Sequence, residues 1–356
     1  MTYLFLYDIV VVGGEIMIYI PIIKMKNAEI RLASYASDYF KHNHLLPFLE
    51  LIYESDAKGT NKSFRSFLEK IGCEKYFLGI PHKQSALVKK DTMYVSKINK
   101  SKATYFSASL KLLDIENAIP VFYVYDEEDA HYAFMFMTKA KKENKSIGLV
   151  ITTSTAKNID FSLLSENDYV FVDIDSDKLS SKRISLNNVL ASCKSRIVLM
   201  RENRRNDLMN NVISTGATVP FECDLSSEIK AMMDELKFDL YGFADFCGHK
   251  NTIATSGGGG NRDKMLPGWA MYSRKGTLPE FIGIRSTISL KDQMASFIEL
   301  KELSIAQMKA EKNIDKTTSM SMLNNESIGA FPFWNVLTQW HYLSQMVIYD
   351  DWKDIN

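Results

Sequence analysis

Charged side chains recur at the carboxyl ends of short apolar runs along this chain, and one histidine lies near its C-terminus. A charge buried at the end of an apolar strand costs free energy unless it is paired or binds something. We therefore expect these residues to form either a binding pocket or a salt-bridged network that plugs the same space. We assign Lys24, Lys26, Glu29, Arg201, Glu202 and His341 to ligand binding, and Glu50, Asp173 and Asp245 to catalysis.

The three catalytic candidates are compatible with two kinds of chemistry. Glu50, Asp173 and Asp245 could hold Mg²⁺, because hard cations prefer oxygen ligands. Lys24 and Arg201 would then hold phosphate oxygens, which predicts metal-assisted cleavage of a phosphodiester or nucleotide. Without a metal ion, a pair of the same carboxylates could act as general acid and base. The sequence does not choose between these alternatives.

Eight short β-rich runs position these residues. They are Ile18–Lys24, Leu46–Ile52, Lys75–Ile80, Ile119–Tyr125, Ile147–Thr153, Tyr169–Ile174, Arg196–Arg201 and Phe238–Phe246. Several are apolar almost throughout, as in strands buried on both faces of a parallel sheet, and helix-forming segments separate them. We predict an α/β fold with a (β/α)8 TIM-barrel-like domain over residues 17–250, whose functional site lies at the carboxyl ends of the strands. An open doubly wound sheet is the structural alternative, and a further run, Ala217–Asp224, leaves the strand count open.

Residues 251–356 predict a C-terminal extension of the barrel. Its Gly-rich stretch, Ser256–Gly260, indicates a loop, and two β-rich runs, Trp269–Ser273 and Phe281–Ser289, predict a short hairpin. We expect helices over Leu290–Lys312 and Phe331–Ile348, with a polar loop over Lys316–Ser327 between them. At the other end, Gly13-Gly14-Glu15 before Met17 suggests a translated ribosome-binding site, so residues 1–16 are interpreted as a leader.

Composition excludes several classes of protein. The chain has 356 residues, 43 basic and 43 acidic, so no bulk basic field attracts nucleic acid nonspecifically. Its four cysteines form no CxxC pair and do not predict a zinc knuckle. The apolar N-terminal run is interrupted by Asp8 and too short to span a membrane. We expect a cytoplasmic protein without membrane contact, and its oligomeric state stays open.

The order of several short motifs is familiar. The chain contains Tyr19-Ile20-Pro21-Ile22-Ile23-Lys24-Met25-Lys26 followed by Glu29, Pro47-Phe48-Leu49-Glu50, Arg201-Glu202, Gly242-Phe243-Ala244-Asp245-Phe246 and Gln339-Trp340-His341. Together these resemble the bacterial and phage beta protein family and a related uncharacterised barrel family. The resemblance implies a barrel-like fold and genes near mobile or antiphage elements, and it supplies no established reaction.

Two functions therefore follow as expectations. The first is a component of a bacterial antiphage or mobile-element system that binds a phosphate-bearing ligand, nucleotide or nucleic acid at the barrel mouth, with or without hydrolysis. The second is a non-catalytic sensor or adaptor that binds a phage product or a protein partner encoded nearby and regulates a separate effector. The disposition of the strand-end charges discriminates between an open pocket and a plugged network.

Overall fold

The computed structural model describes residues 11–12, 15–16, 18–25, 29–40, 45–52, 62–82, 94–174, 183–191, 193–202, 218–222, 236–249, 262–273, 280–310, 316–325 and 331–348. The structural statements below concern these residues. The predicted ligand-binding residue Lys26 and the Gly-rich stretch Ser256–Gly260 lie outside them. The proposed start at Met17 stays a prediction.

The strands are, in chain order, β1 (Val11–Val12), β2 (Glu15–Ile16), β3 (Ile18–Lys24), β4 (Phe48–Glu50), β5 (Tyr76–Gly79), β6 (Ala118–Val124), β7 (Gly148–Thr152), β8 (Tyr169–Asp173), β9 (Arg196–Met200), β10 (Thr218–Glu222), β11 (Leu240–Asp245), β12 (Gly268–Ser273) and β13 (Glu280–Arg285). Strands β3 to β9 and β11 form a closed barrel in which each neighbouring pair is parallel. β11 completes the circle by pairing with β9 on one side and β3 on the other. The predicted (β/α)8 fold is confirmed, and each of the eight predicted runs overlaps one barrel strand.

Helices surround the barrel and extend beyond it. They are α1 (Glu29–Phe40), α2 (Lys62–Ile71), α3 (Tyr94–Ile98), α4 (Lys102–Leu110), α5 (Glu127–Lys142), α6 (Arg183–Leu190), α7 (Gln293–Ala310), α8 (Lys316–Asn325) and α9 (Phe331–Ile348). None of the described helices is long and apolar enough to cross a membrane.

Aromatic side chains fill the barrel interior, because alternate residues of each strand point inward. The ring of Phe48 lies 6.1 Å from that of Tyr123 and 5.3 Å from that of Phe171, measured between centroids. Near the amino ends of the strands, Arg196 donates a 2.6 Å hydrogen bond to the hydroxyl of Tyr169 and lies over its ring. The interior is a packed core, so a ligand site has to lie at an end of the barrel.

The backbones of β11 and β3 approach closely where their pairing closes the barrel. Gly242 on β11 stands opposite Ile18 on β3, and a Cβ at Gly242 would lie 2.5 Å from the carbonyl oxygen of Ile18. No real Cβ comes so near to a backbone atom. A side chain at this position would push apart the two strands whose pairing closes the wall.

A second sheet belongs to the C-terminal extension. The predicted hairpin is present as β12 and β13, which pair antiparallel. The run Ala217–Asp224 contributes β10, but this strand pairs with β13 and takes no part in the barrel. The chain that leaves β9 therefore adds a strand to the C-terminal sheet before it returns as β11.

The predicted polar loop over Lys316–Ser327 is wrong, because helix α8 covers Lys316–Asn325. Met322 and Leu323 are buried, and the helix packs on α7 and α9. These apolar side chains stand among serines, threonines and asparagines, so their narrow stripe is easily read as part of a loop. Tertiary packing, rather than local propensity, stabilises this helix.

The aromatic packing around Phe48 leads to a prediction about the free energy of unfolding. Phe48→Ala should lower the free energy of unfolding by about 3–5 kcal/mol, because it leaves a cavity among packed rings. Phe134→Ala on α5 is the matched control: this ring is 49% exposed, so its loss should cost under about 1 kcal/mol. Urea unfolding of both variants measures the difference, and equal losses would contradict the described interior.

Candidate functional site

A buried ion pair lies inside the barrel at the carboxyl ends of its strands. The Nζ of Lys24 donates to Oε2 of Glu50 at 2.7 Å, and both side chains are buried. The hydroxyl of Tyr123 donates to the other carboxylate oxygen, Oε1, at 2.6 Å. The ammonium also lies 4.3 Å from the ring centroid of Phe246. The two oxygens of Glu50 are thus both engaged by donors of the protein.

The strand register creates this network. Lys24 stands opposite Glu50 in the β3–β4 pair, and Glu50 stands opposite Gly79 in the β4–β5 pair. A Cβ at Gly79 would lie 2.9 Å from the ring of Phe48 and 3.1 Å from that of Tyr123. The glycine therefore leaves the space across which Tyr123, on β6, reaches the carboxylate.

Electrostatics keep the hydroxyl of Tyr123 protonated. Burial raises its pKa well above the ordinary value, and the neighbouring charge of Glu50 raises it further. A protonated phenol donates its hydrogen to the carboxylate, so the contact holds Glu50 in one orientation. Tyr123 was not among the predicted site residues, although inward alternation with Ile119 and Val121 could have identified it.

Asp173 is the second carboxylate on the inner face. It is buried at the end of β8, where it stands opposite Thr152 of β7 and Met200 of β9. Strand alternation turns it to the same side as Phe171, into the barrel. It shares the end of the barrel with Glu50, as predicted.

The predicted pair Arg201 and Glu202 directly follows β9. Both are half-buried, and the backbone N–H of Arg201 donates to the carbonyl of Ala244 at 3.0 Å. This bond continues the β9–β11 ladder by one residue beyond the strand. Glu29 begins helix α1, and its side chain lies outside the described part of the chain.

Asp245 does not face the barrel mouth, contrary to the prediction. It is fully buried on the other side of the wall, where Oδ1 accepts from the hydroxyl of Tyr19 at 2.7 Å and from the N–H of Cys247 at 2.9 Å. Its Oδ2 accepts from the hydroxyl of Tyr342 on α9 at 2.5 Å. Asp245 follows the inward-facing Ala244, and alternation turns it outward. It attaches the C-terminal helix to the barrel.

The three carboxylates predicted to hold magnesium do not come together, because Asp245 faces away from the other two. Among the described residues, which include Glu50, Asp173 and Asp245, no three side chains of His, Cys, Asp or Glu come together as a metal-ligand group. The first two point into the barrel, whereas the third points out of it. The positions of the three residues along the sequence predict that they lie at strand ends. They do not predict whether each side chain faces into the barrel or out of it.

His341, which the sequence analysis assigned to ligand binding, contacts other parts of the protein through both ring nitrogens. It is fully buried in α9, where its Nε2 lies 3.0 Å from the carbonyl oxygen of Tyr272 and its Nδ1 lies 3.1 Å from Oγ of Ser319. Nε2–H donates to the carbonyl, and Nδ1 accepts from the serine hydroxyl. The neutral ring satisfies both contacts and links α9 to β12 and α8.

Because His341 is buried, we expect the free energy of unfolding to fall in mild acid. Burial lowers its pKa to about 4, whereas an unfolded histidine titrates near about 6.5. The unfolded chain therefore takes up a proton between these values and the folded chain does not, so stability falls as the pH drops below about 6.5. Between pH 7 and pH 5 the contribution lost is about 2 kcal/mol.

Urea unfolding at both pH values measures this contribution. His341→Gln should remove it, so that the pH-dependent loss in the variant is smaller by about 2 kcal/mol. His131→Gln, at an exposed position on α5, should retain the wild-type loss. A variant at position 341 with the wild-type pH dependence would contradict the assignment.

Comparisons with protein-family models, with curated proteins and with solved structures find no match to this chain. The resemblance to the beta protein family rests on the order of its motifs and stays a prediction. The geometry of Lys24, Glu50, Tyr123 and Asp173 is therefore the basis for assigning a function.

Proposed function

We propose that this protein binds a phosphate-bearing ligand, a nucleotide or a segment of nucleic acid, at the carboxyl end of its barrel. The observation that carries the proposal is the buried network of Lys24, Glu50 and Tyr123 at that end, which closes on itself instead of lining an open pocket, so the ligand would lie above it against the ammonium group of Lys24. Ligand sites of (β/α)8 barrels lie at this end, because the loops that follow the strands converge there.

The energetics of buried charge support a binding role. Replacing a buried ion pair by apolar residues of similar size is often neutral, or stabilising by about 1–4 kcal/mol. Phe48 and Phe171 show that the layer below is filled by apolar rings. Lys24 and Glu50 stand where further apolar side chains would fit, so stability alone does not account for them.

Lys24 is the residue that would contact the ligand. An ammonium group carries a positive charge and three N–H donors, which suit contact with a phosphate oxygen. Glu50 and the ring of Phe246 hold the ammonium at the end of the barrel. Binding by a preorganised donor requires less loss of side-chain entropy than binding by a mobile lysine.

The geometry of Glu50 and Asp245 favours binding without hydrolysis. Both oxygens of Glu50 and both oxygens of Asp245 accept hydrogen bonds from the protein. A general base has to be within reach of the proton that it removes, and Asp245 lies behind the barrel wall. This observation favours the second candidate function, a sensor or adaptor that signals the bound ligand to a partner protein.

The biological setting is proposed from the resemblance alone. Genes of the beta protein type lie near mobile or antiphage elements, so the ligand would be a phage product or a nucleotide made during infection. The partner would be an effector encoded by a neighbouring gene.

The ligand proposal predicts the effect of removing the ammonium. Wild-type protein should bind at least one of inorganic pyrophosphate, mononucleotides or short single strands saturably in isothermal titration, without releasing phosphate. Lys24→Met should weaken this binding at least about tenfold, the loss of about 1.4 kcal/mol that one charged hydrogen bond contributes.

Two variants control the comparison. Lys139→Met removes the same charge from an exposed residue of α5, whose partner is Glu143, and should bind as the wild type does. The double variant Lys24→Met/Glu50→Leu avoids leaving a carboxylate unpaired, so it tests binding in a folded protein even where Lys24→Met unfolds. Failure of every probe to bind, or equal affinity in the double variant, would refute the proposal, and phosphate release would refute its non-catalytic form.

A further inference from the structure

A second buried charged cluster surrounds His82, at the same end of the barrel and outside its wall. His82 follows β5 by three residues and is 8% exposed. Its Nδ1 lies 2.5 Å from Oδ1 of Asn99, and its Nε2 lies 2.9 Å from Oδ1 of Asp129. Both ring nitrogens therefore face oxygen atoms.

The orientation of Asn99 is fixed by its other contacts. Its Nδ2 donates to the carbonyl of Val95 at 2.8 Å and to the carbonyl of Pro81 at 3.0 Å. Rotating the amide by 180° would aim its oxygen at two carbonyls and lose both bonds. The atom that faces His82 is therefore the amide oxygen, which only accepts.

Asp129 is an ionised acceptor. Burial alone would raise its pKa, but hydrogen bonds from His82 and Lys102 outweigh burial and lower the pKa to about 2. Its Oδ1 also lies 2.6 Å from Nζ of Lys102, and its Oδ2 accepts from the N–H of Tyr125 at 2.9 Å.

The groups around the ring balance its charge. From α4, Tyr105 stacks on the imidazole with centroids 3.9 Å apart, and Lys102 bridges Asp129 and Asp126. From the end of β6, the ring of Tyr125 lies 6.3 Å away. Two aspartates and one lysine leave a net charge of −1, which a protonated His82 would neutralise.

We infer that His82 is held as an imidazolium and forms a pH-sensitive clasp, which ties the end of β5 to the turn between α3 and α4 and to α5. Two acceptors require two N–H donors, and only the protonated ring provides both. A neutral ring would turn a lone pair toward either Asn99 or Asp129. The clasp therefore weakens when His82 releases its proton.

The clasp lies beside the proposed ligand site without depending on it. β5 is the strand between β4, which carries Glu50, and β6, which carries Tyr123. The rings of Tyr123 and Tyr125 are stacked with centroids 6.0 Å apart, so aromatic contacts run from His82 toward the interior network. A change of pH would loosen the outer wall at this end of the barrel.

Nitrogen NMR of the wild-type imidazole rings tests the protonation state directly. At pH 7.5 both ring nitrogens of His82 should carry hydrogen, with signals assigned by their loss in His82→Gln. His131→Gln, at an exposed position on α5, should leave those signals unchanged. A single protonated nitrogen at this pH would overturn the inference.

Unfolding experiments test whether the contacts of His82 stabilise the fold in a pH-dependent way. The folded protein would retain a proton that the unfolded chain releases near neutral pH, so the unfolding equilibrium constant should rise with pH, by at most about tenfold per pH unit. Asp129→Asn should reduce this slope, whereas His131→Gln should retain it. A slope that is the same in wild type and Asp129→Asn would also overturn the inference, whether or not any phosphate ligand binds.

Discussion

The closure of the barrel by β11 is the constraint on which the other features depend. Because β11 pairs with both β9 and β3, the wall has a fixed inside and outside, and each strand residue faces one or the other. Gly242 permits the close contact with β3 that completes the circle. Neighbouring residues such as Ala244 and Asp245 are thereby separated into different environments, although they are adjacent in the sequence.

Because of that separation, the buried carboxylates on the two faces accept hydrogen bonds from different partners. Inside the wall, Glu50 is satisfied by Lys24 and Tyr123 from neighbouring and more distant strands. Outside it, Asp245 is satisfied by two tyrosine hydroxyls, one of them from the C-terminal helix. Breaking either set would leave a buried charge without its donors, at a cost of about 3–5 kcal/mol for a fully buried pair. The proposed ligand site and the attachment of α9 are thus held by different interactions.

The sequence predicted the barrel well and the site only in part. Apolar runs such as Ile18–Lys24 and Tyr169–Ile174 identify parallel strands, because such strands are buried on both faces. The pairing of Lys24 with Glu50 agrees with their positions at strand ends. Asp245 faces outward because side chains alternate along β11, so a shift of one residue in the predicted register would turn it inward. The contacts of His341 are made with Tyr272 and Ser319, which are distant in sequence. His82 was overlooked because its partners, Asn99 in the turn after α3 and Asp129 on α5, are distant in sequence and no motif marks them.

Double-mutant cycles on the free energy of unfolding test most directly whether the strand-end charges form two groups. We expect a coupling of about 1–3 kcal/mol between Lys24→Met and Glu50→Leu, which share a hydrogen bond. We expect additivity within about 0.5 kcal/mol for Glu50→Leu and Asp245→Asn, which lie on opposite faces of the wall. A coupling between Glu50 and Asp245 as large as that between Lys24 and Glu50 would show one continuous network and contradict the account.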